Sequence, residues 1–291
     1  MIHDRDELRH RPSPELAFSE SKWFSFYDQS LNLWVSCRMG LEANRGKANR
    51  WVVVAFEGKV VYHDLSTNLD LPPCDWTDIT INALQFQTLK TMSCYKVRFE
   101  NADVSFDITW NAETPVFDYA DCKVPIPPSL AAEHYEQSGI VAGSFLYQGV
   151  LHAVVGYGHR DHSWGVRHWE GFRGWVAFMA RFGMGSYLHL EEFNEESGGL
   201  TRHGFIYHDG RNVPIRDANI ALEIPEGKEF PASFRIMIYD VNGGRYSFSG
   251  WLLLTSLIVF GRCQVGESYG IYRDAEGRET LGVIEYGFTS A

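Results

Sequence analysis

Short runs of β-branched and aromatic residues, hinged in pairs on glycine turns, constrain this chain more than any other feature. The run at 50–56 meets Glu57-Gly58 and resumes at 59–62. The run at 141–147 meets Gln148-Gly149 before 150–155, and 201–208 runs into Asp209-Gly210. Residues 234–241 and 245–254 flank Asn242-Gly243-Gly244, and 268–273 and 280–288 flank Glu276-Gly277. Glycine supplies the positive φ of a tight hairpin turn, so these pairs predict antiparallel hairpins. Helical patterning is confined to 129–134, after Pro127-Pro128, and to the charged arm at 4–10. No internal repeat of solenoid or propeller period is present. The chain therefore reads as all-β and antiparallel, in two barrel-like halves, residues 1–170 and 171–291. The apolar run at 251–260 (Trp-Leu-Leu-Leu-Thr-Ser-Leu-Ile-Val-Phe) is too short to cross a bilayer as a helix. It predicts a core strand covered on both faces.

The formal net charge of -11 argues against a phosphate-binding surface, so neither nucleic acid nor an anionic membrane surface is expected as a partner, and no apolar run is long enough for stable membrane insertion as a helix. The cysteines (Cys37, Cys74, Cys94, Cys122 and Cys263) are odd in number and form no CxxC pair. That pattern predicts reduced thiols without disulfides in a cytoplasmic protein, and the charged start carries no secretory signal. Aromatic residues make up 14% of the chain, enough for β-sheets and for a large apolar pocket.

Chemistry concentrates at 156–169, Gly-Tyr-Gly-His-Arg-Asp-His-Ser-Trp-Gly-Val-Arg-His-Trp, behind the β-like run 151–155. Burying such charges unpaired costs several kcal/mol, so their position at the end of an apolar strand calls for a role. Alternation places Leu151, Ala153, Val155, Tyr157, His159 and Asp161 on one face, apolar at its start and hence inward. Gly156 and Gly158 are bulge positions, and a bulge would exchange the faces beyond it. Asp161 next to histidines suits a general acid or base; paired with Arg160 or Arg167 it would instead be a structural clamp. His159 and His162, three apart on a strand, point to opposite faces, so no metal is expected. Gly156-x-Gly158 lacks the remainder of a dinucleotide loop, no serine elbow occurs, and no organic cofactor is expected. His134 to Ser138, His189 with Glu191, and Glu285 with Tyr286 read individually as solvated strand faces.

Gly158-His159-Arg160-Asp161-His162-Ser163-Trp164-Gly165 resembles the Asp-His-(Asn/Ser)-Trp-Gly signature of the AttH-like and carotenoid 1,2-hydratase (hydroxyneurosporene synthase) superfamily. The runs at 134–139, 21–28, 38–41, 44–46 and 282–287 resemble a bacterial branch of it. Ser163 stands where the hydratases commonly carry Asn. The resemblance implies two tandem lipocalin-like antiparallel β-barrel or sandwich domains. It also implies chemistry on acyclic isoprenoids or pericyclic cyclisation.

Two functions follow. One is a cofactor-independent hydratase or dehydratase, or an isomerase or cyclase, acting on an unsaturated hydrophobic, isoprenoid-like molecule. There Asp161 is the proton donor, His159, His162 and Arg160 tune it or activate water, and Tyr135, Gln137, Tyr157, Trp164, Arg167, Trp169 and Glu285 bind substrate. The other is a binding or carrier protein for an apolar ligand, with a homodimer compatible with either.

Overall fold

The computed structural model describes residues 2–73, 75–122, 124–183 and 185–289. The chain divides into two compact units, one of residues 1–118 and 131–167, the other of residues 119–130 and 168–291. Each is built from antiparallel strands, and the only helical segments among the described residues are short 3-10 turns. The arm at 4–10 gives one such turn, Asp4–Glu7; residues 128–130 form a turn, and Glu133 and His134 already lie in a strand. No helix among the described residues is long and apolar enough to cross a membrane.

The first unit is an open, curled sheet. Its strands are β1 (Phe18–Asp28), β2 (Leu33–Glu42), β3 (Lys47–Phe56), β4 (Lys59–Asp70), β5 (Asp78–Ile81), β6 (Leu84–Lys90), β7 (Cys94–Glu100), β8 (Val104–Ala112), β9 (Phe117–Asp118), β10 (Glu133–Tyr147) and β11 (Val150–Val166). They are ordered β4-β3-β2-β1-β11-β10-β8-β7-β6-β5, with β9 paired to β10. The long hairpin β10–β11 turns on Gln148 and Gly149, both at positive φ, as a tight two-residue turn requires. The concave face holds the apolar core, including Phe24, Val35, Val52, Phe86, Val97, Trp110 and Val154.

The second unit is a closed barrel of β12 (Phe172–Arg181), β13 (Tyr187–Glu195), β14 (Leu200–His208), β15 (Arg211–Glu223), β16 (Ser233–Asp240), β17 (Arg245–Phe260), β18 (Cys263–Asp274) and β19 (Glu279–Thr289). Each strand pairs with the next and β19 pairs with β12, so no edge is left open. Its interior is filled by residues such as Phe178, Leu190, Ile236, Phe234, Tyr272 and Ile284. All-β architecture with lipocalin-like barrel topology is thus what the hairpin pattern builds.

Particular expectations change. The 251–260 run lies in β17 but is covered on one face only. Ile258 is buried, whereas Trp251, Leu253, Leu257 and Val259 are exposed, because a barrel strand has one inward face. The faces of β11 are the reverse of the expected ones: Val154 joins the core, while Leu151 and Val155 are exposed. Nor do Gly156 and Gly158 form bulges, since the β10–β11 register runs unbroken through both and the β1–β11 register through Gly158. A Cβ on Gly158 would sit 2.7 Å from the Trp110 ring, and one on Gly156 2.0 Å from the Tyr27 carbonyl oxygen. These glycines admit close neighbours rather than redirect the strand. Cys37, Cys94, Cys122 and Cys263 are free thiols; Cys74 lies outside the described residues.

Candidate functional site

Because β11 alternates without interruption, its motif is split between two faces of the sheet. Arg160, His162 and Trp164 accompany Val154 on the concave side; His159, Asp161 and Ser163 lie on the convex side. Cross-strand register then selects their neighbours. On the concave face, His162 lies opposite Lys22 of β1 and Tyr135 of β10, and Arg160 opposite Gln137. On the convex face, His159 lies opposite Ser138, and Asp161 opposite Glu136.

The convex cluster centres on Glu136. His134 Nε2 lies 2.7 Å from Glu136 Oε1 and His159 Nε2 2.6 Å from Oε2. All three side chains are buried. His159 Nδ1 is 2.8 Å from Ser138 Oγ. These partners assign the tautomer: Nε2–H donates to the carboxylate, and Nδ1 accepts the serine hydroxyl. Burial, reinforced by the neighbouring Arg160 charge, pulls the His159 pKa down to about 3, so the ring is neutral at neutral pH. Asp161 is half-buried, and its Oδ1 accepts the Trp23 backbone N–H at 2.9 Å. Arg160 cannot clamp it, being on the opposite face. Arg167 donates to the hydroxyls of Ser21, at 3.2 Å, and Ser163. Tyr157 packs edge-on against Tyr27 with ring centroids 5.8 Å apart.

The concave cluster is a charge network. Glu7, from the 3-10 turn, receives Lys22 Nζ at 2.6 Å, Arg160 Nη2 at 2.7 Å, Tyr95 OH at 2.5 Å and Tyr135 OH at 2.8 Å. Burial would raise the Glu7 carboxyl, but Arg160 and Lys22 outweigh it and hold it well below the usual carboxylate range. Arg160 also donates to Gln137 Oε1 at 2.9 and 3.0 Å. Its guanidinium lies 4.2, 5.2 and 5.6 Å from the ring centroids of Tyr95, Tyr135 and Trp110. His162 Nδ1 is 3.1 Å from Tyr135 OH and its Nε2 2.8 Å from Glu20 Oε1. Burial and the Lys22 charge lower His162 to about 4 despite Glu20. Glu20 is held at about 2: burial opposes this, but hydrogen bonds from His10 and His162 prevail. The Glu20 carboxylate also accepts Trp76 Nε1–H at 2.7 Å, and Trp164 stacks on His10 at 3.8 Å. His10, Glu20 and His162 could together hold a metal ion.

In the second unit, described by itself, Tyr119 OH contacts His189 Nε2 at 3.0 Å and donates to Glu191, with its ring flat on His203 at 4.7 Å. His189 and Glu191 share a face, as alternation requires, but it is buried rather than solvated. Trp169 lies in a 3-10 turn 5.5 Å from Trp175, whose Nε1–H donates to Glu285. Of the predicted site residues, the structure thus brings Arg160, His162, Tyr135, Gln137 and Trp164 to one face of β10–β11 and His159 and Asp161 to the other. Trp169 and Glu285 belong to the second unit. Glu7, Glu20 and Tyr95 lie in no motif, and Lys22 only in the 21–28 run; strand register shows Lys22, Glu20 and Tyr95, and the packing of the 3-10 turn shows Glu7. The alternation His134-x-Glu136-x-Ser138 was the available signal for the convex cluster.

A lipocalin-like all-β chain with buried carboxylate–imidazole clusters is the class that this fold and these clusters define. Residues 3–289 match the family described as Domain of unknown function (DUF7064), and the chain belongs to that family. Among solved structures it is similar to kievitone hydratase from Nectria haematococca, with TM-score 0.71 and 11% identity over 99% of this chain and 93% of that one. An AttH-like protein from Nitrosomonas europaea aligns with TM-score 0.68 and 13% identity over 92% of each chain. CghA with Sch210972 aligns with TM-score 0.65 and 11% identity over 94% of this chain and 89% of that one. These likenesses, at 13% identity or less, show that the chain shares the fold of these proteins. No curated protein matches the sequence.

Proposed function

We propose that this protein is a hydratase-type enzyme that adds water to, or removes it from, a carbon–carbon double bond of an apolar small molecule, using its own acid–base groups. The observation that carries this reading is Glu136, a buried carboxylate bonded on both oxygens by imidazoles at 2.7 and 2.6 Å. Hydration delivers a proton to one carbon and hydroxide to the other, so the site needs a base for water and an acid for carbon. In its acid form Glu136 gives its proton to carbon, and the carboxylate left behind takes a proton from the attacking water, so Glu136 ends the cycle as it began and the proton count closes. The imidazoles of His134 and His159 hold its two oxygens in place throughout. Ser138 fixes the His159 ring, and burial keeps the exchange from bulk water. Asp161, bound to the Trp23 backbone, supports the strand pair instead. The similarity to kievitone hydratase supports the hydratase-type reaction, and the resemblance of the central motif supports an unsaturated, isoprenoid-like substrate.

The test uses kievitone and an acyclic isoprenoid as probes in oxygen-18 water. The parent incorporates one labelled hydroxyl per turnover, and Glu136→Gln, which keeps the shape but cannot accept the proton, loses about 10²–10⁴-fold in rate. Undiminished incorporation by folded Glu136→Gln would refute the assignment. Binding of both probes without incorporation by the parent would favour an apolar-ligand carrier.

A further inference from the structure

Glu7 is the least expected buried acid in the molecule. It sits in an irregular N-terminal arm, yet it is 1% exposed and lies at the centre of the concave cluster. What surrounds it is a built anion site: two cations, Lys22 and Arg160, and two phenolic hydroxyls, Tyr95 and Tyr135, converge on one carboxylate. Charge-assisted donors of this number and geometry select a carboxylate over a neutral group. We propose that this cradle is a carboxylate-binding site of the first unit, and that residues 3–10 are a tethered plug whose Glu7 occupies it in place of an aromatic or unsaturated small-molecule carboxylate.

Two further observations point to an exchangeable occupant. The cradle holds more donors than Glu7 satisfies: Arg160 Nη1 and Trp110 Nε1 are buried and have no hydrogen-bond partner. Unpaired buried donors are costly. A ligand with a second acceptor beside its carboxylate, such as a hydroxy or keto oxygen, would meet them, and the rings of Tyr95, Tyr135 and Trp110 around Arg160 suit a flat ligand. The plug is also held mainly by polar contacts. Arg9 N donates to Asp75 Oδ1 at 2.8 Å, and His10 donates from N at 2.9 Å to Glu20 Oε2 and meets Oε1 through Nδ1 at 3.0 Å. Its Leu8, and Leu16 just beyond it, are exposed. A tethered competitor acts at millimolar effective concentration, so an external carboxylate binds the parent weakly and a plug-disabled variant more tightly. The inference is independent of Glu136 of β10 and His159 of β11, which lie on the other face of the sheet.

The experiment uses the full-length chain with benzoate and salicylate as probes, and benzyl alcohol and chloride at matched ionic strength as controls. Glu7→Gln, isosteric but uncharged, should melt below the parent. Millimolar benzoate or salicylate should raise its Tm by several degrees, with salicylate the more effective, while the controls leave it unmoved. In the parent, the same carboxylates should speed amide exchange in residues 4–10. Adding Lys22→Met to Glu7→Gln should remove the rescue. If Glu7→Gln does not fold alone, refolding in benzoate against chloride gives the same reading. A folded Glu7→Gln whose Tm responds no better to carboxylates than to chloride, or refolding helped equally by both, would overturn the proposal.

Discussion

Glu136 and Asp161 face each other across the β10–β11 ladder, yet they do different things. Glu136 is clasped by two imidazoles, whereas the half-buried Asp161 spends an oxygen on a backbone amide of β1. An asparagine at 161 still offers a carbonyl oxygen to that amide. Asp161→Asn should therefore cost no more than about 1.5 kcal/mol in stability and leave label incorporation within a few-fold of the parent. Glu136→Gln should do the reverse, with a small change in Tm and a collapse in rate. Parallel melts and oxygen-18 assays of the two variants decide the matter, and loss of turnover confined to Asp161→Asn would return the acid–base role to the signature aspartate. The motif lies on β11, the strand that pairs with β10 where Glu136 sits. It could not single out Glu136 by itself: the two-residue turn at Gln148-Gly149 sets Glu136 opposite Asp161 only if no bulge intervenes, and the bulges expected at Gly156 and Gly158 obscured that register.

At the scale of the element, hairpins were legible and faces were not. Glycine turns announced β10–β11 and much of the barrel because turn chemistry is local. The inward face of β11 was misread because both of its faces carry apolar residues near the turn, and only Val154 finds the core. Gly158 shows what decided the matter. Opposite Gly139 on β10, it leaves the space that Trp110 fills. Gly158→Ala should cost about 1–3 kcal/mol by overpacking, and Trp110→Phe should relieve part of that cost in the double variant. Additive losses would show that the ring does not depend on the glycine. In β17, Ile258→Asp should destabilise by several kcal/mol, because it buries a charge inside the barrel. Leu253→Asp, on the exposed face, should shift Tm little. Equal shifts for the pair would contradict a one-sided strand.

Across the whole molecule, buried ionisable groups make stability depend on acid in one direction, and unequally in the two units. His159 and His162 in the first unit are pulled down to about 3 and about 4, and burial takes His203 in the second to about 4. An unfolded histidine titrates near 6.5, so between that pH and the folded value the unfolded chain binds the extra proton, and stability falls as pH falls. Each such histidine contributes a slope of about 1.4 kcal/mol per pH unit, which gives the first unit roughly twice the sensitivity of the second. Below about pH 4.5 the first unit loses more. Glu7 is held well below the usual range and Glu20 at about 2, so the stability they contribute is full above the unfolded carboxylate pKa and drains as pH drops through the folded one. Hydrogen exchange at constant ionic strength, followed segment by segment, should show little change between pH 8 and 7. Below about pH 6.5, protection should fall first and more steeply in β1, β10 and β11 than in β12–β19. Barrel segments opening first, or protection independent of pH down to 4, would mean that these histidines are not held neutral, and the His159 tautomer on which the Glu136 chemistry rests would go with them.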